Sequence, residues 1–313
     1  MNSLTLQTCA KINLCLRVLN RRPDGFHNVE TILHTVGVWD TLEFSDLEGD
    51  EIVLTVAGEE APADESNLCW RAARALRERA KLTRGVRLSL RKSIPVGAGL
   101  GGGSSDAAAT LVGLSRLWDL AMPPEELAAL AAELGSDVSF FLHGGCAFAR
   151  ERGEKLEPLP SISLPLVVVV PERRVPTETA YAALRRGASM GRRRTLDRMT
   201  RRMLEAVKAS EAGAIAAALH NDFEALDMVG VTEAREARTE LLTAGCLGAL
   251  LSGSGSAVFG IAPDAGTAGN IAAALRERWP WVSTAPTVAA GESMLVTQEG
   301  EVASPEAAEE QEG

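Results

Sequence analysis

The chain has 313 residues, 46% hydrophobic and 24% charged, long enough for two domains that each bury a core. Its net charge is −10, but six acidic residues (Glu299, Glu301, Glu306, Glu309, Glu310, Glu312) crowd the last fifteen positions, and the remainder carries only −4. That balance excludes a general nucleic-acid binder, which would show a basic domain, and apolar runs such as Leu166 to Val170 are too short to span a bilayer.

The opening segment MNSLTLQTCAK has no basic stretch before an apolar core and does not read as a signal peptide, so a cytoplasmic protein is expected. From Leu4 to Val18 the sequence alternates, placing Leu4, Leu6, Ile12, Leu14, Leu16 and Val18 on one buried strand face. Arg21 to Gly25 is turn chemistry, and Phe26 to Val36 should return antiparallel. Two further strands are expected at Thr41 to Ser45 and Glu51 to Val56, a helix over Asn67 to Ala80, and a half-solvated strand over Val86 to Arg91. A helix follows the glycine-rich stretch at residues 95–105 and runs to about Leu120. Another starts after Pro123-Pro124, and Ser136 reads as the N-cap of a short helix carrying Asp137, Phe140 and Phe141. The prolines between Pro158 and Pro165 mark a domain boundary. Beyond it come strands at Leu166–Val170, Leu247–Leu251 and Val258–Ile261 and a helix at Ala268–Arg278. The strands and helices do not alternate regularly, which predicts an α+β protein. Residues 1–160 and 161–297 are the expected domains, and 298–313 an acidic, disordered tail.

The five cysteines and four histidines show no metal-ligand spacing, so the cysteines are expected as small core residues in a reducing compartment. The run Gly97-Ala98-Gly99-Leu100-Gly101-Gly102 fits a dinucleotide pattern. The strand before it is half-solvated, however, whereas the first strand of a dinucleotide fold is buried on both faces. No Lys-Ser/Thr follows the glycines, which excludes a Walker A loop. What remains is a phosphate cradle: glycines let backbone N–H groups converge, and the helix start adds partial positive charge. Ser104 and Ser105 would supply hydroxyls, with Ser105 a candidate magnesium ligand.

Lysine is scarce, five residues against 27 arginines, yet Lys11 lies inside a strand on the same face as Asn13. A compact, tunable charge is one reason for this; a solvated strand face is another.

Three segments together carry a resemblance: Ala10-Lys11-Ile12-Asn13-Leu14, the turn Arg22-Pro23-Asp24-Gly25-Phe26-His27, and Pro95 to Ser105. They resemble the GHMP kinases, as do Leu134-Gly135-Ser136-Asp137-Val138 and Leu251-Ser252-Gly253-Ser254-Gly255, in the family's order. The resemblance implies a ribosomal-protein-S5-like N-terminal domain for ATP binding and catalysis and a ferredoxin-like C-terminal domain that binds substrate. It implies ATP and Mg2+ as cofactors, and a small-molecule substrate as the partner, with no nucleic acid and no membrane; nothing in the sequence sets an oligomeric state. The lysine-asparagine strand and the turn resemble members that phosphorylate the 2-hydroxyl of a cytidine-diphosphate-linked methylerythritol. Members acting on homoserine, mevalonate or sugars, and a non-catalytic nucleotide- or sugar-binding regulator on the same fold, are the alternatives.

By that resemblance Asp137 accepts the hydroxyl proton and also meets substrate, and Lys11 orients Asp137 near the γ-phosphate. Pro95, Val96, Gly97, Ala98, Gly99, Leu100, Gly101, Gly102, Gly103, Ser104 and Ser105 would hold the triphosphate. His27 and Asn13 would read base and sugar, Phe26 and Tyr181 would stack on the base, and Thr177 lies in a further substrate segment. Phe26 stands where the family usually has tyrosine, and Ser139 where it usually has proline. Eight arginines between Arg185 and Arg202 read as a solvated helical surface.

Overall fold

The computed structural model describes residues 2–184 and 196–301. In chain order it contains β1 (Asn2–Arg21), β2 (His27–Leu47), β3 (Ile52–Gly58), α1 (Leu68–Ala80), β4 (Gly85–Lys92), α2 (Gly102–Leu117), α3 (Pro124–Leu134) and α4 (Ser136–His143). Then come β5 (Cys146–Glu151), β6 (Lys155–Leu159), β7 (Leu166–Val170), α5 (Thr177–Ala183), α6 (Arg198–Ala209), α7 (Ala212–Ala218) and β8 (His220–Asn221). The chain closes with α8 (Val229–Thr243), β9 (Gly248–Leu251), β10 (Val258–Ile261), α9 (Ala265–Leu275), β11 (Trp281–Thr284) and β12 (Met294–Glu301).

Two sheets organise these elements, giving the α+β class the irregular strand and helix order predicts. The first runs β12-β1-β2-β4-β3, with β5 and β6 extending from β2 and β8 beside β1. The second is antiparallel, in the order β11-β7-β10-β9. β4 alternates because only one of its faces meets helices: Val86, Leu88 and Leu90 are buried in the cluster with α1 and α2, while Arg87 and Arg91 are exposed. β7 is apolar throughout because both faces are covered; Leu166, Val168 and Val170 enter one cluster, Val167 and Val169 another.

The alternation over Leu4 to Val18 does not define one face. Leu4 and Leu6 pack with α1 and α2, Ile12 and Leu14 with β7 and β10, and Leu16 and Val18 in a third cluster. The reason is a register shift between Cys9 and Ala10, opposite Trp39 and Val36, and another between Asn13 and Cys15. The strands expected at Phe26–Val36 and Thr41–Ser45 are one strand, β2, because β1 is long enough to pair with all of it.

Two further expectations are corrected. Gly135, in extended backbone, caps α4, so that Ser136 is already its first helical residue. Residues 298–301 finish β12, with Thr5 opposite Gln298 and Asn2 opposite Glu301; pairing at a sheet edge uses backbone groups and needs no apolar composition. The remainder of the acidic tail and Arg185, Arg186, Arg192, Arg193 and Arg194 lie outside the described residues, whereas Arg198, Arg201 and Arg202 are exposed on α6.

Candidate active site

The glycine loop connects β4 to α2 and is held through its carbonyls, with Val96 O accepting from Arg174 Nε at 3.1 Å. Ala98 O accepts from Ala257 N–H and Leu100 O from Lys11 N–H, each at 2.9 Å, while Gly99 O accepts from Ser252 Oγ at 3.0 Å. Gly99 and Gly101 have φ of +84° and +73°. A Cβ on Gly99 would lie 2.2 Å from Ser252 O, and one on Gly101 would lie 2.9 Å from Lys11 Cγ, so both positions require glycine for space as well as conformation. The first hydrogen bond of α2 runs from Ser105 N–H to Gly101 O, which leaves the amides of Gly102, Gly103 and Ser104 ahead of the helix ladder. These groups border a cavity of about 510 Å3, which Pro95, Val96, Gly97, Ala98 and Gly99 also line.

Leu100 and Ser105 do not line that cavity. Leu100 is buried in the core, and Ser105 Oγ donates to Cys9 O at 2.6 Å and lies 2.5 Å from Thr8 Oγ1. The Ser105 hydroxyl and amide are thus both consumed in anchoring α2 to β1, and the position expected to ligate magnesium is turned into the core. Of the two adjacent serines it is Ser104, one residue earlier, that lines the cavity.

Lys11 is 4% exposed. Its Nζ donates to Asn13 Oδ1 at 2.8 Å and to Gly99 O at 2.9 Å, and stands 3.7 Å from Asp137 Oδ2. Burial lowers the pKa of Lys11, and the Asp137 carboxylate opposes that shift. Asn13 is oriented in turn: its Nδ2 donates to Thr31 Oγ1 at 2.8 Å, and Thr31 donates to Cys15 O at 2.8 Å. Asp137 sits in the first turn of α4, where the helix dipole favours negative charge, and its side chain is 39% exposed.

Below the cradle, Lys92 Nζ donates to Asp106 Oδ2 at 2.8 Å and to Asp40, whose Oδ1 accepts from Ser93 N–H and Ile94 N–H. Burial, with the Asp40 charge beside it, raises the pKa of Asp106 against the pull of Lys92. Asp106 lines the cavity, and its buried Oδ1 has no hydrogen-bond partner.

A second cavity, of about 790 Å3, is lined by Phe26, His27, Glu178 and Ala182, among others. Ser104, Asp137, Arg152, Thr177 and Tyr181 line both cavities, so Asp137 stands where the two meet. The aromatic pairing differs from the expected Phe26–Tyr181 couple. His27 stacks on Tyr181 with centroids 5.3 Å apart, Tyr181 meets Phe223 edge-on, and Phe26, 55% exposed, carries the Arg152 guanidinium at 4.8 Å. Burial, with Arg21 nearby, lowers the pKa of His27 and favours its neutral, hydrogen-bonding form. Thr177 Oγ1 lies 3.0 Å from Ser254 Oγ, which ties α5 to the turn after β9.

Sequence reasoning brought Lys11, Asn13, Asp137 and the glycines together but missed Thr31, Asp106, Arg152 and Ser254. Asp106 follows the glycine-serine run directly and carried a signal by position; Thr31 and Arg152 carry none, because only β-pairing and the β5–β6 turn bring them near the site.

Residues 67–145 match the family model for the GHMP kinases N terminal domain, and residues 203–280 that for the GHMP kinases C terminal domain. With the glycine cradle opening onto α2, these matches define the class: a GHMP small-molecule kinase, a phosphotransferase. Within it, the chain belongs to the 4-diphosphocytidyl-2-C-methyl-D-erythritol kinase family. It is 43% identical over 274 residues to that kinase of Pelotomaculum thermopropionicum, covering 87% of this chain and 94% of the relative. It is also 43% identical over 281 residues to that of Moorella thermoacetica, covering 90% and 97%. A crystal structure of 4-(cytidine 5'-diphospho)-2C-methyl-D-erythritol kinase matches with a TM-score of 0.74 at 36% identity, over 91% of this chain and 99% of the other. Homoserine kinase from Cytophaga hutchinsonii shares the fold, with a TM-score of 0.72 at 17% identity over 95% and 98% of the two chains. No helix among the described residues is long and apolar enough to cross a membrane.

Proposed function

We propose that the protein transfers the γ-phosphate of ATP to the 2-hydroxyl of 4-diphosphocytidyl-2-C-methyl-D-erythritol, in the cytoplasm, as a step of non-mevalonate isoprenoid precursor synthesis. The observation that carries this reading is the Lys11–Asp137 pair at the junction of a glycine-lined cavity and an aromatic one. Triphosphate is assigned to the amides of the glycine loop and the start of α2, and the cytidine to the cavity of Phe26, His27 and Tyr181. The reacting hydroxyl then meets Asp137. Residues from both sides of position 160 border both cavities, so ATP and substrate are assigned to a site that both parts of the chain build together.

Asp137 accepts the hydroxyl proton. A carboxylate with a reference pKa near 3.9 is a weak base for an alcohol, but a loose phosphoryl-transfer transition state asks for little proton removal early. Positioning and charge then supply most of the catalysis. Two donor directions of the Lys11 ammonium are fixed by Asn13 and Gly99, which aims the remaining charge at Asp137 and the transferring phosphoryl group. The donors present fit magnesium, which takes oxygen ligands and keeps several from phosphate and water: the Asp137 carboxylate, the Ser104 hydroxyl and the unpartnered Asp106 Oδ1 all border the first cavity. Bound magnesium supplies neutralisation of triphosphate charge.

The test is ADP release by the purified protein with ATP, magnesium and 4-diphosphocytidyl-2-C-methyl-D-erythritol, beside a control lacking the cytidylyl group. Turnover with the full substrate alone supports both the reaction and the base site. ATP binding without turnover removes the substrate assignment and directs the assay to homoserine, mevalonate and sugars.

A further inference from the structure

A cytidine-diphosphate-linked substrate whose base lies in the second cavity and whose hydroxyl meets Asp137 must carry its diphosphate across the junction of the two cavities. Among the described residues, the basic side chains lining the first cavity are Lys11, Lys92 and Arg152, and those lining the second are Arg21 and Arg152. Arg152 alone is common to both. Lys11 and Lys92 are already committed to buried partners.

Arg152 is also built for the task. It projects from the tight turn between β5 and β6, where its own N–H donates to Glu154 Oε2 at 2.8 Å, so the backbone that presents it is pinned. Its guanidinium rests on the exposed Phe26 ring, 4.8 Å from the centroid, and Nη2 reaches Ala132 O over a long 3.3 Å. A guanidinium held by a ring, a carbonyl at 3.3 Å and the attraction of the exposed Asp24 carboxylate can still turn to phosphate, with which it makes charge-assisted, paired hydrogen bonds. The same contact supports the Phe26 ring where it lines the second cavity.

Resting on the reaction assigned above, we propose that Arg152 is a substrate-binding residue that grips the diphosphate of the cytidine-linked substrate and so selects a nucleoside diphosphate over the bare nucleoside.

The experiment is calorimetric titration of CDP and of cytidine into the wild-type protein, Arg152→Ala and Arg152→Lys, with thermal melting of each. The wild type binds CDP more tightly than cytidine. Arg152→Ala lowers CDP affinity by roughly tenfold or more and changes cytidine affinity less than about twofold, and Arg152→Lys recovers part of the loss because it keeps the charge without the fork. Should Arg152→Ala fail to fold, the intermediate CDP affinity of Arg152→Lys carries the test. An undiminished preference for CDP in either variant overturns the proposal while the reaction stands. An equal loss of CDP and cytidine also overturns it, since Arg152 would then act only by propping Phe26. A wild-type protein that binds neither compound overturns the cytidine site itself, and this proposal with it.

Discussion

Lys11 and Asp137 approach to 3.7 Å across the meeting point of two cavities, one residue buried in the middle of β1 and the other in the first turn of α4. The pair is asymmetric. Lys11 is enclosed and held by two neutral oxygens, whereas Asp137 keeps 39% of its side chain open to what enters. That arrangement suits an orienting cation and a carboxylate that must touch a substrate.

Replacing Asp137 by Ala should lower turnover by roughly 10²–10⁴-fold, with ATP affinity little changed. Lys11 acts in its charged form, and burial lowers its pKa from 10.5, so kcat/KM should fall as pH rises through a value below that of a free lysine. A pH–rate profile of the wild type against Lys11→Ala checks this: the variant loses the alkaline limb that Lys11 contributes.

Thr31 touches neither cation nor carboxylate, yet it sets the Asn13 amide so that Oδ1 faces Lys11. Thr31→Val keeps the shape and removes the hydroxyl, freeing Asn13 to rotate. We expect kcat to drop by about tenfold, because a misplaced catalytic group is costly, and the melting midpoint to fall as well, because the buried Asn13 amide and Cys15 carbonyl lose a partner. Thr31→Ser should restore the rate.

Gly97 and Gly99 share a positive φ but not the same surroundings. A Cβ on Gly97 meets nothing within 4 Å, so Gly97→Ala should cost only the left-handed backbone, about 1–2 kcal/mol. On Gly99 the Cβ would lie 2.2 Å from Ser252 O, and Gly99→Ala must also push the loop away from the second sheet. Urea denaturation should rank Gly99→Ala well below Gly97→Ala in stability, and ATP binding should fail in the former.

His34 is fully buried and bonded at both ring nitrogens: Nδ1 donates to Thr35 O at 2.9 Å and Nε2 accepts from Ile162 N–H at 3.2 Å. Burial lowers its pKa from 6.5 to about 4, with the Thr35 bond opposing the shift. The unfolded chain therefore binds a proton that the folded chain refuses. Stability from this group is complete above about pH 6.5 and is lost progressively as the pH falls towards 4, on the order of 3 kcal/mol in all. Unfolding midpoints measured between pH 7 and 4 should slope accordingly, and less steeply in His34→Gln.

Much of this site was legible in the sequence because short-range rules wrote it there. Glycines at the loop answer to local sterics, the Ala/Leu run after them to helix propensity, the rarity of lysine to composition, and Asp137 to the preference of a helix start for negative charge. Those rules gave the α+β class and the cradle and singled out Lys11 by its rarity, whereas the roles of Lys11, Asn13 and Asp137 came from the resemblance to the GHMP kinases. The rules failed where the answer depends on register or on packing between distant segments. The shifts at Cys9–Ala10, by two residues of β2, and at Asn13–Cys15, by one residue of β1, divide one alternating strand among separate cores, and anchoring of α2 to β1 turns Ser105 inward and leaves Ser104 at the cavity. Likewise the β5–β6 turn lays Arg152 on Phe26 and leaves Tyr181 to His27, and an edge of β1 takes up residues 298–301 that composition alone consigns to a tail. Local chemistry decided what each segment can do; only the tertiary structure decided what each side chain faces, because a one-residue change of register reverses the face of every residue that follows it.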